Sequence, residues 1–472
     1  MPKGKSVKKA GPAFSTDLPL APPSKRLLPH SLLLYFHPQS SNIVWVIKGG
    51  FCDLQVHVTD GVTLNVIATP QFKTTSISID FLAPVSTQGL SQRILLAQLL
   101  ETSSADYPTQ TALAKKLATL YGASYGVNVY RYGMINGLRF SSSIINDHFA
   151  NGEHLTQAIF SFLKQVIFRP LAADGQFDAT TFDRQKVNLI AYLKSLNDDK
   201  QYYAERELFD LYFKDQPELA TSLYGDEPTI EELGNADLYA YYQQLLATDD
   251  IKITIIGDVN ADEIKRDIAD WQLAPRTSKQ QAIIYHRPVQ TAVTGSETQP
   301  LQQSKLNLAY QLPVYYRDAH FYEALVFNGL FGGTPISMLF KNVREKNSLA
   351  YYASSRFDGF TGTLSVQAGI DQHNQQAVLD IIAEQLEDIA NGKIDEEVFN
   401  QVVASLINNH ESRQDSPRAV VNQSVLDQMV GSTVPASEWL THIQAVTPEQ
   451  VAAIAQQVTL QATYFLKGDE SR

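Results

Sequence analysis

Few groupings in this 472-residue chain have the residue types and spacing for chemistry of their own. His148 and His154 stand six apart with Gly152 between them, a spacing that fits a loop and not one face of a helix, where two imidazoles could share a metal. His373 and the His410-Glu411 pair have no second histidine close by, so these histidines read as surface or capping residues. Serine catalysis lacks its Gly-x-Ser-x-Gly elbow, and the one cysteine, Cys52, sits in an atypical N-terminal segment. Gly329, Gly332 and Gly333 are dense enough for a phosphate loop, but no Gly-Lys-Ser/Thr follows, and Thr334-Pro335 interrupts the helix such a loop would open. A turn that needs positive φ is the expectation for these glycines. No cofactor and no metal are expected.

The most informative stretch is marked by what it omits. Residues 91–102 form an apolar, helix-like run that leads to Tyr107-Pro108. It resembles the segment in which zinc peptidases of the M16 (insulinase, pitrilysin) family carry their inverted His-x-x-Glu-His motif, closed by a Tyr-Pro pair. Anchoring on Tyr107-Pro108 puts Ile94 and Gln98 in the places of the two histidines and Ala97 in that of the general-base glutamate. The resemblance sets the family's third ligand, a glutamate on a later helix, at Tyr192. A catalytic zinc needs three protein ligands and an open position for water. Here every ligand and the base are replaced, so the chain on its own is expected not to be an enzyme.

Further segments resemble the same family. The stretch 226–242 leading into Ile256-Gly257-Asp258 is similar to the family's end of its first half, and 328–340 is similar to the glycine-rich turn that opens the second. Arg344 and Tyr351, seven apart, match a signature whose guanidinium and phenol, in active members, reach across the chamber to the substrate backbone and the developing oxyanion. The resemblance therefore implies a substrate-binding role in trans for Arg344, Tyr351 and, as a peptide guide, Gly329, Gly332 and Gly333. The plainer reading keeps Arg344 paired with a carboxylate and Tyr351 in the core, as Tyr125 is expected to be. The chain is most similar to inactive YfmF-type members, which occur in bacteria beside an active partner. That implies a heterodimer with a His-x-x-Glu-His-bearing zinc peptidase, a peptide substrate, and association with modification of elongation factor P. The alternatives are a stand-alone peptide-binding or scaffold protein and, third, a self-sufficient peptidase with other ligands.

The composition is compatible with this. A length of 472 residues and 44% hydrophobic content are ample for more than one core, while a net charge of −12 argues against nucleic acid or anionic membrane as partner. No apolar run is long enough to span a bilayer or to be a signal core, and a single cysteine suits a reducing compartment, so a cytoplasmic location is expected. Residues 1–53 differ from the rest, with seven basic residues against two acidic ones and seven prolines. They read as a disordered arm or as a start-site artefact: Lys48-Gly49-Gly50 is what a purine-rich ribosome-binding sequence gives when translated, and Leu54 follows at the spacing of an alternative start codon.

The elements that must position these residues are legible from periodicity. Residues 62–68 and 75–82 alternate as half-buried strands, 109–120 reads as a helix, 123–129 and 135–145 as strands, 152–167 and 180–214 as amphipathic helices, 237–246 as a helix and 251–258 as a strand. Residues 117–144 align without a gap on 343–370, and each block is preceded by a strand and a helix. The expected fold is α+β: two homologous halves, 54–275 and 305–472, each an antiparallel sheet backed by helices, joined by a Gln/Thr/Ser-rich linker at 276–304.

Overall fold

The computed structural model describes residues 43–48, 51–277 and 282–469. In the first half the strands are β1 (Ile43–Lys48), β2 (Phe51–Thr59), β3 (Val62–Ala68), β4 (Thr74–Pro84), β5 (Ser124–Tyr132), β6 (Ile135–Ile145) and β7 (Asp250–Gly257). Its main helices are α1 (Thr87–Thr102), α2 (Gln110–Thr119), α3 (Leu155–Phe168), α4 (Ala179–Leu196), α5 (Lys200–Tyr212) and α6 (Asn235–Thr248). The second half contributes β8 (Val293–Gln299), β9 (Ser304–Gln311), β10 (Ala350–Asp358), β11 (Thr363–Ile370) and β12 (Thr459–Gly468). Its long helices are α7 (Phe321–Asn328), α8 (Gln375–Ala390), α9 (Glu396–Gln414) and α10 (Pro417–Val430).

The repeat is visible in the strand orders, β1-β2-β3-β7-β4-β6-β5 in one sheet and β8-β12-β9-β11-β10 in the other. From β3 and β8 onward the two run in the same sequence. All neighbours are antiparallel except β3 with β7 and β8 with β12, one parallel pair in each sheet. Two boundaries differ from the sequence expectation. The linker is not featureless: β8 lies within it and pairs with the last strand. The expected leader ends in structure, because 43–48 and 51–53 belong to β1 and β2; residues 1–42 lie outside the described residues.

Helix starts follow local chemistry. Ser86, Asp178, Asp199, Asp395 and Ser416 each accept a hydrogen bond from a backbone N–H of the first turn of α1, α4, α5, α9 and α10, and Pro417 occupies the first position of α10, where no N–H is needed. Gly431 ends α10 at φ 68°, the left-handed conformation a glycine adopts without penalty.

Alternation along each strand sorts residues between two faces. In the first sheet Leu64, Val66, Ile77, Ile79, Ile253 and Ile255 point into a core shared with α1 and α3. Their neighbours Thr63, Asn65, Thr254 and Ile256 point the other way and meet α10, a helix of the second half: Asn65 Nδ2 donates to Ser424 Oγ at 2.6 Å, Thr63 Oγ1 to Gln428 Oε1 at 2.9 Å, and Ile67 and Ile256 pack on Val421 and Val425. The second sheet is treated in the same way. Leu306 and Leu308 face its own helices, whereas Ala309, Ala462 and Leu466 pack against Ala204 and Leu208 of α5, a helix of the first half. Gln201 of α5 donates from Nε2 to Asn307 Oδ1 at 2.9 Å.

Leu208 has no exposed surface. Leu208→Ala should cost about 2–5 kcal/mol through the cavity it leaves. Because that cavity lies between the halves, chemical denaturation followed by fluorescence and by circular dichroism should still give one coincident, shifted transition.

Candidate functional site

Helix α1 carries the three positions that matter in the first half. Ala97 is buried at 2% exposure, and Ile94 and Gln98 are half-buried. Across from them runs α4. Gln185 Nε2 of α4 donates to Thr102 Oγ1 at 3.3 Å. Nine residues on, Lys194 pairs with Glu227 at 2.8 Å, next to Asp226, whose N–H donates to Ser91 Oγ at 3.2 Å. The two helices are therefore antiparallel, and Tyr192 stands level with Ile94. Two α1 positions and one α4 position thus lie along neighbouring helices, and their side chains are wrong for a metal. Ile94 has no donor atom. Tyr192, 42% exposed, packs edge-on against Tyr224 with ring centroids 5.6 Å apart. Gln98 Oε1 is buried without a hydrogen-bond partner.

No group of three His, Cys, Asp or Glu side chains among the described residues is placed to hold a metal ion. His148 lies in a short 3-10 turn, Asp147–Phe149, and His154 precedes α3, which fits the loop reading. His410 stacks flat on Trp439 at 3.9 Å. On the face of α1 one turn beyond Gln98, the Glu101 carboxylate accepts the N–H of Val127 on edge strand β5, and burial raises its pKa against that hydrogen bond.

The second half places its residues differently from the positive-φ turn expected for the glycines. None of Gly329, Gly332 and Gly333 has positive φ. Instead α7 runs directly into a π-helical turn, Gly329–Gly333. The glycines are required for close approach: a Cβ on Gly332 would lie 2.6 Å from Ser355 N of β10, one on Gly329 2.7 Å from Val402 Cγ1 and one on Gly333 2.4 Å from Asn328 Nδ2. Ser355 Oγ, donating to Asn328 Oδ1 at 2.8 Å, fixes β10 against this turn.

A second π-helical segment, Phe340–Lys346, carries Arg344. It ends in a tight turn in which Leu349 N–H donates to the Val343 carbonyl at 3.0 Å, so the end bearing Arg344 lies beside the start of β10. Tyr351 is the second residue of β10. The register jumps from Ala350 opposite Ile370 to Tyr352 opposite Gly369, which leaves Tyr351 as the extra residue of a β-bulge, a device that re-aims a side chain. The Tyr351 ring is 71% exposed on an edge strand, so it is not core. The exposed Arg344 guanidinium stacks on Phe340 at 4.8 Å from its ring centre, and no carboxylate among the described residues forms an ion pair with it. The equivalent Tyr125 is tied down, its hydroxyl donating to the Leu100 carbonyl at 2.9 Å. Sequence reasoning gave no sign of the π-helices or the bulge, which have no residue signature of their own.

Comparison with known proteins gives a consistent picture. A family model described as the Peptidase M16 inactive domain matches residues 233–406. The "Probable inactive metalloprotease YmfF" of Bacillus subtilis (strain 168) is 29% identical over 415 residues, covering 87% of this chain and 96% of that protein. The crystal structure of a conserved protein from Enterococcus faecalis V583 superposes with a TM-score of 0.86 at 39% identity, over 89% of this chain and 99% of that one. The periplasmic protease PqqL from Escherichia coli has the same fold, with a TM-score of 0.67 at 17% identity, but 94% of this chain covers 49% of PqqL.

Two outcomes follow for the α1–α4 site. Elemental analysis of the purified chain should give no stoichiometric zinc, and no chelator-sensitive peptide hydrolysis should accompany it, since no residue at 94, 97, 98 or 192 supplies the ligand set or base. One equivalent of zinc would overturn this. Gln98→Leu removes an amide whose oxygen is buried without a partner, so it should be neutral or stabilising by about 1–3 kcal/mol in thermal unfolding.

Proposed function

Because the chain belongs to the M16 peptidase family and lacks its zinc ligands, we propose that it is a non-catalytic subunit that pairs with an active His-x-x-Glu-His-bearing zinc peptidase and helps form its peptide chamber. The observation that carries this reading is the placement of Tyr351 and Arg344. A bulge turns the Tyr351 phenol outward to 71% exposure, and the exposed Arg344 guanidinium has no carboxylate partner among the described residues, so the fold of this chain makes little use of either. Both groups are hydrogen-bond donors suited to a developing oxyanion that another subunit would generate. The twofold length of PqqL, which has the same fold, agrees with a complete chamber being built from two units of this size. Gly329, Gly332 and Gly333 serve this reading by seating β10, and any contact of theirs with the peptide is secondary.

In this proposal the pair works in the cytoplasm, in the modification of elongation factor P; the likeness to an inactive bacterial member supports that reading. Loss of the modification from elongation factor P in a strain deleted for this chain, read by intact-protein mass, is the measurement for that part. A scaffold role without a peptidase partner is the competing reading.

Co-expression with the active peptidase should give a mixed dimer. In it, Arg344→Ala with Tyr351→Phe should lower kcat by roughly 10²–10³ while leaving dimer fraction and melting temperature unchanged, because donors that act in the transition state contribute little to the ground state. Full activity in a stable double variant would remove donation in trans and leave the chain as a chamber wall. A parallel fall in stability and dimer yield would make Arg344 structural.

A further inference from the structure

Away from these residues, a cavity of about 350 Å³ opens at the seam between the halves, at the lower end of the range for small-molecule sites. The end of β4 with the start of α1 forms one wall, α6 a second, and Gln428 and Met429 at the end of α10 a third; Asp250 and Lys252 of β7 also line it. Polar and apolar surface contribute to the lining in similar measure. Ser86, Gln244 and Thr248 are exposed and make a polar rim, while Leu82 and Leu245 are buried beneath it.

Lys252 is the group in this cavity that the fold does not account for. It stands on the face of β7 that Thr254 and Ile256 turn toward α10. The carboxylates around it are committed. Asp80, across from it in the β4–β7 register, accepts from Arg139 Nε at 2.6 Å, Tyr130 Oη at 2.8 Å and Ser78 Oγ at 2.6 Å. Asp249 is paired with the fully buried Arg93, and Asp250 has an interaction of its own. No hydrogen bond or close ion pair joins the half-buried Lys252 to any described residue; burial lowers its pKa, and the charge of Asp250 opposes that shift. Around this end of β7 three described cations, Arg93, Arg276 and Lys252, face two carboxylates, Asp249 and Asp250, which leaves one positive charge in excess. An ammonium held in a cleft in this way is costly and marks a candidate ligand site.

We propose that this seam cavity binds a small hydroxylated monocarboxylate. Its carboxylate meets the Lys252 ammonium, and its hydroxyls meet Ser86, Gln244 and Thr248 at the rim. A single negative charge matches the single excess positive one, whereas a dianion would bring a second charge for Asp249 and Asp250 to repel. The walls come from both halves, so occupancy strengthens the contact of α10 with the first sheet and stabilises the folded chain by mass action.

Calorimetry and thermal unfolding of the full chain at constant ionic strength, with sodium gluconate, sodium glycerate, sorbitol and sodium phosphate, test this. Gluconate and glycerate should bind saturably and raise the melting temperature above that in matched sodium chloride. Sorbitol, which keeps the hydroxyls and lacks the carboxylate, and phosphate, which carries more charge and no carbon chain, should each bind at least about tenfold more weakly. Lys252→Met should lose the gluconate response while melting at or above the unmodified chain, because it removes a desolvated ammonium, and Lys252→Arg, which keeps the charge, should retain part of the response. Absence of saturable binding by both carboxylates, binding of sorbitol or phosphate as tight as that of gluconate, or an unchanged response in a folded Lys252→Met chain would each overturn the proposal. Should Lys252→Met fail to fold, the four ligands on the unmodified chain decide alone.

Discussion

Each sheet has two faces, and its own half supplies helices for only one of them. That constraint organises the molecule. The second face of the first sheet is covered by α10 and that of the second sheet by α5, equivalent helices that each follow the longest helix of their own half. The exchange is reciprocal, so neither half completes its structure alone. The covered faces are not oily in the usual way: Asn65, Ser78, Asp80, Thr254 and Asn307 are all buried, and their burial is tolerated because the visiting helices or neighbouring strands bring hydrogen-bond partners. Buried polar groups of this kind favour one docking geometry over its neighbours, since a shift of register would leave them unpaired.

The two candidate regions follow from this frame in opposite ways. In the first half, α1 and α4 are regular helices, and the side chains they present at 94, 98 and 192 are of types that do not make a metal site. In the second half the equivalents of α1 and α2 are interrupted by π-helical turns, and β10 begins with a bulge. Local irregularity there delivers Arg344 and Tyr351 to solvent. Gly332 is the pivot, since only a residue without a side chain lets the π-turn sit on the backbone of Ser355.

Much of this was legible in the sequence. Period-two and amphipathic stretches located most strands and helices to within a few residues, and the offset repeat announced two halves. The misreadings have a common cause. Alternation at 62–68 says that two faces differ in polarity, and it was read as one dry face and one wet one. Yet Asn65 and Thr254 are at most 4% exposed, because the helix that covers them lies more than 300 residues away in the chain in the case of Asn65 and Ser424. Strand β8 reads as linker in the sequence because its Thr, Ser, Gly and Glu residues carry no apolar alternation; backbone pairing with β12, and not burial, makes it a strand. The glycines at 329–333 were given to a turn because glycine reports a steric requirement without saying whether φ or a close neighbour imposes it.

The helix exchange also sets a timetable for the ribosome. Helix α5 docks against β12, which is synthesised about 250 residues later, a delay of roughly 10–50 s at ordinary elongation rates. During that interval the nascent first half carries an amphipathic helix with nowhere to bury Ala204 and Leu208 and a sheet whose face bearing Thr63, Asn65 and Thr254 still awaits α10. The polar character of that waiting face, unfavourable for sticking to other nascent chains, makes such a long wait compatible with productive folding.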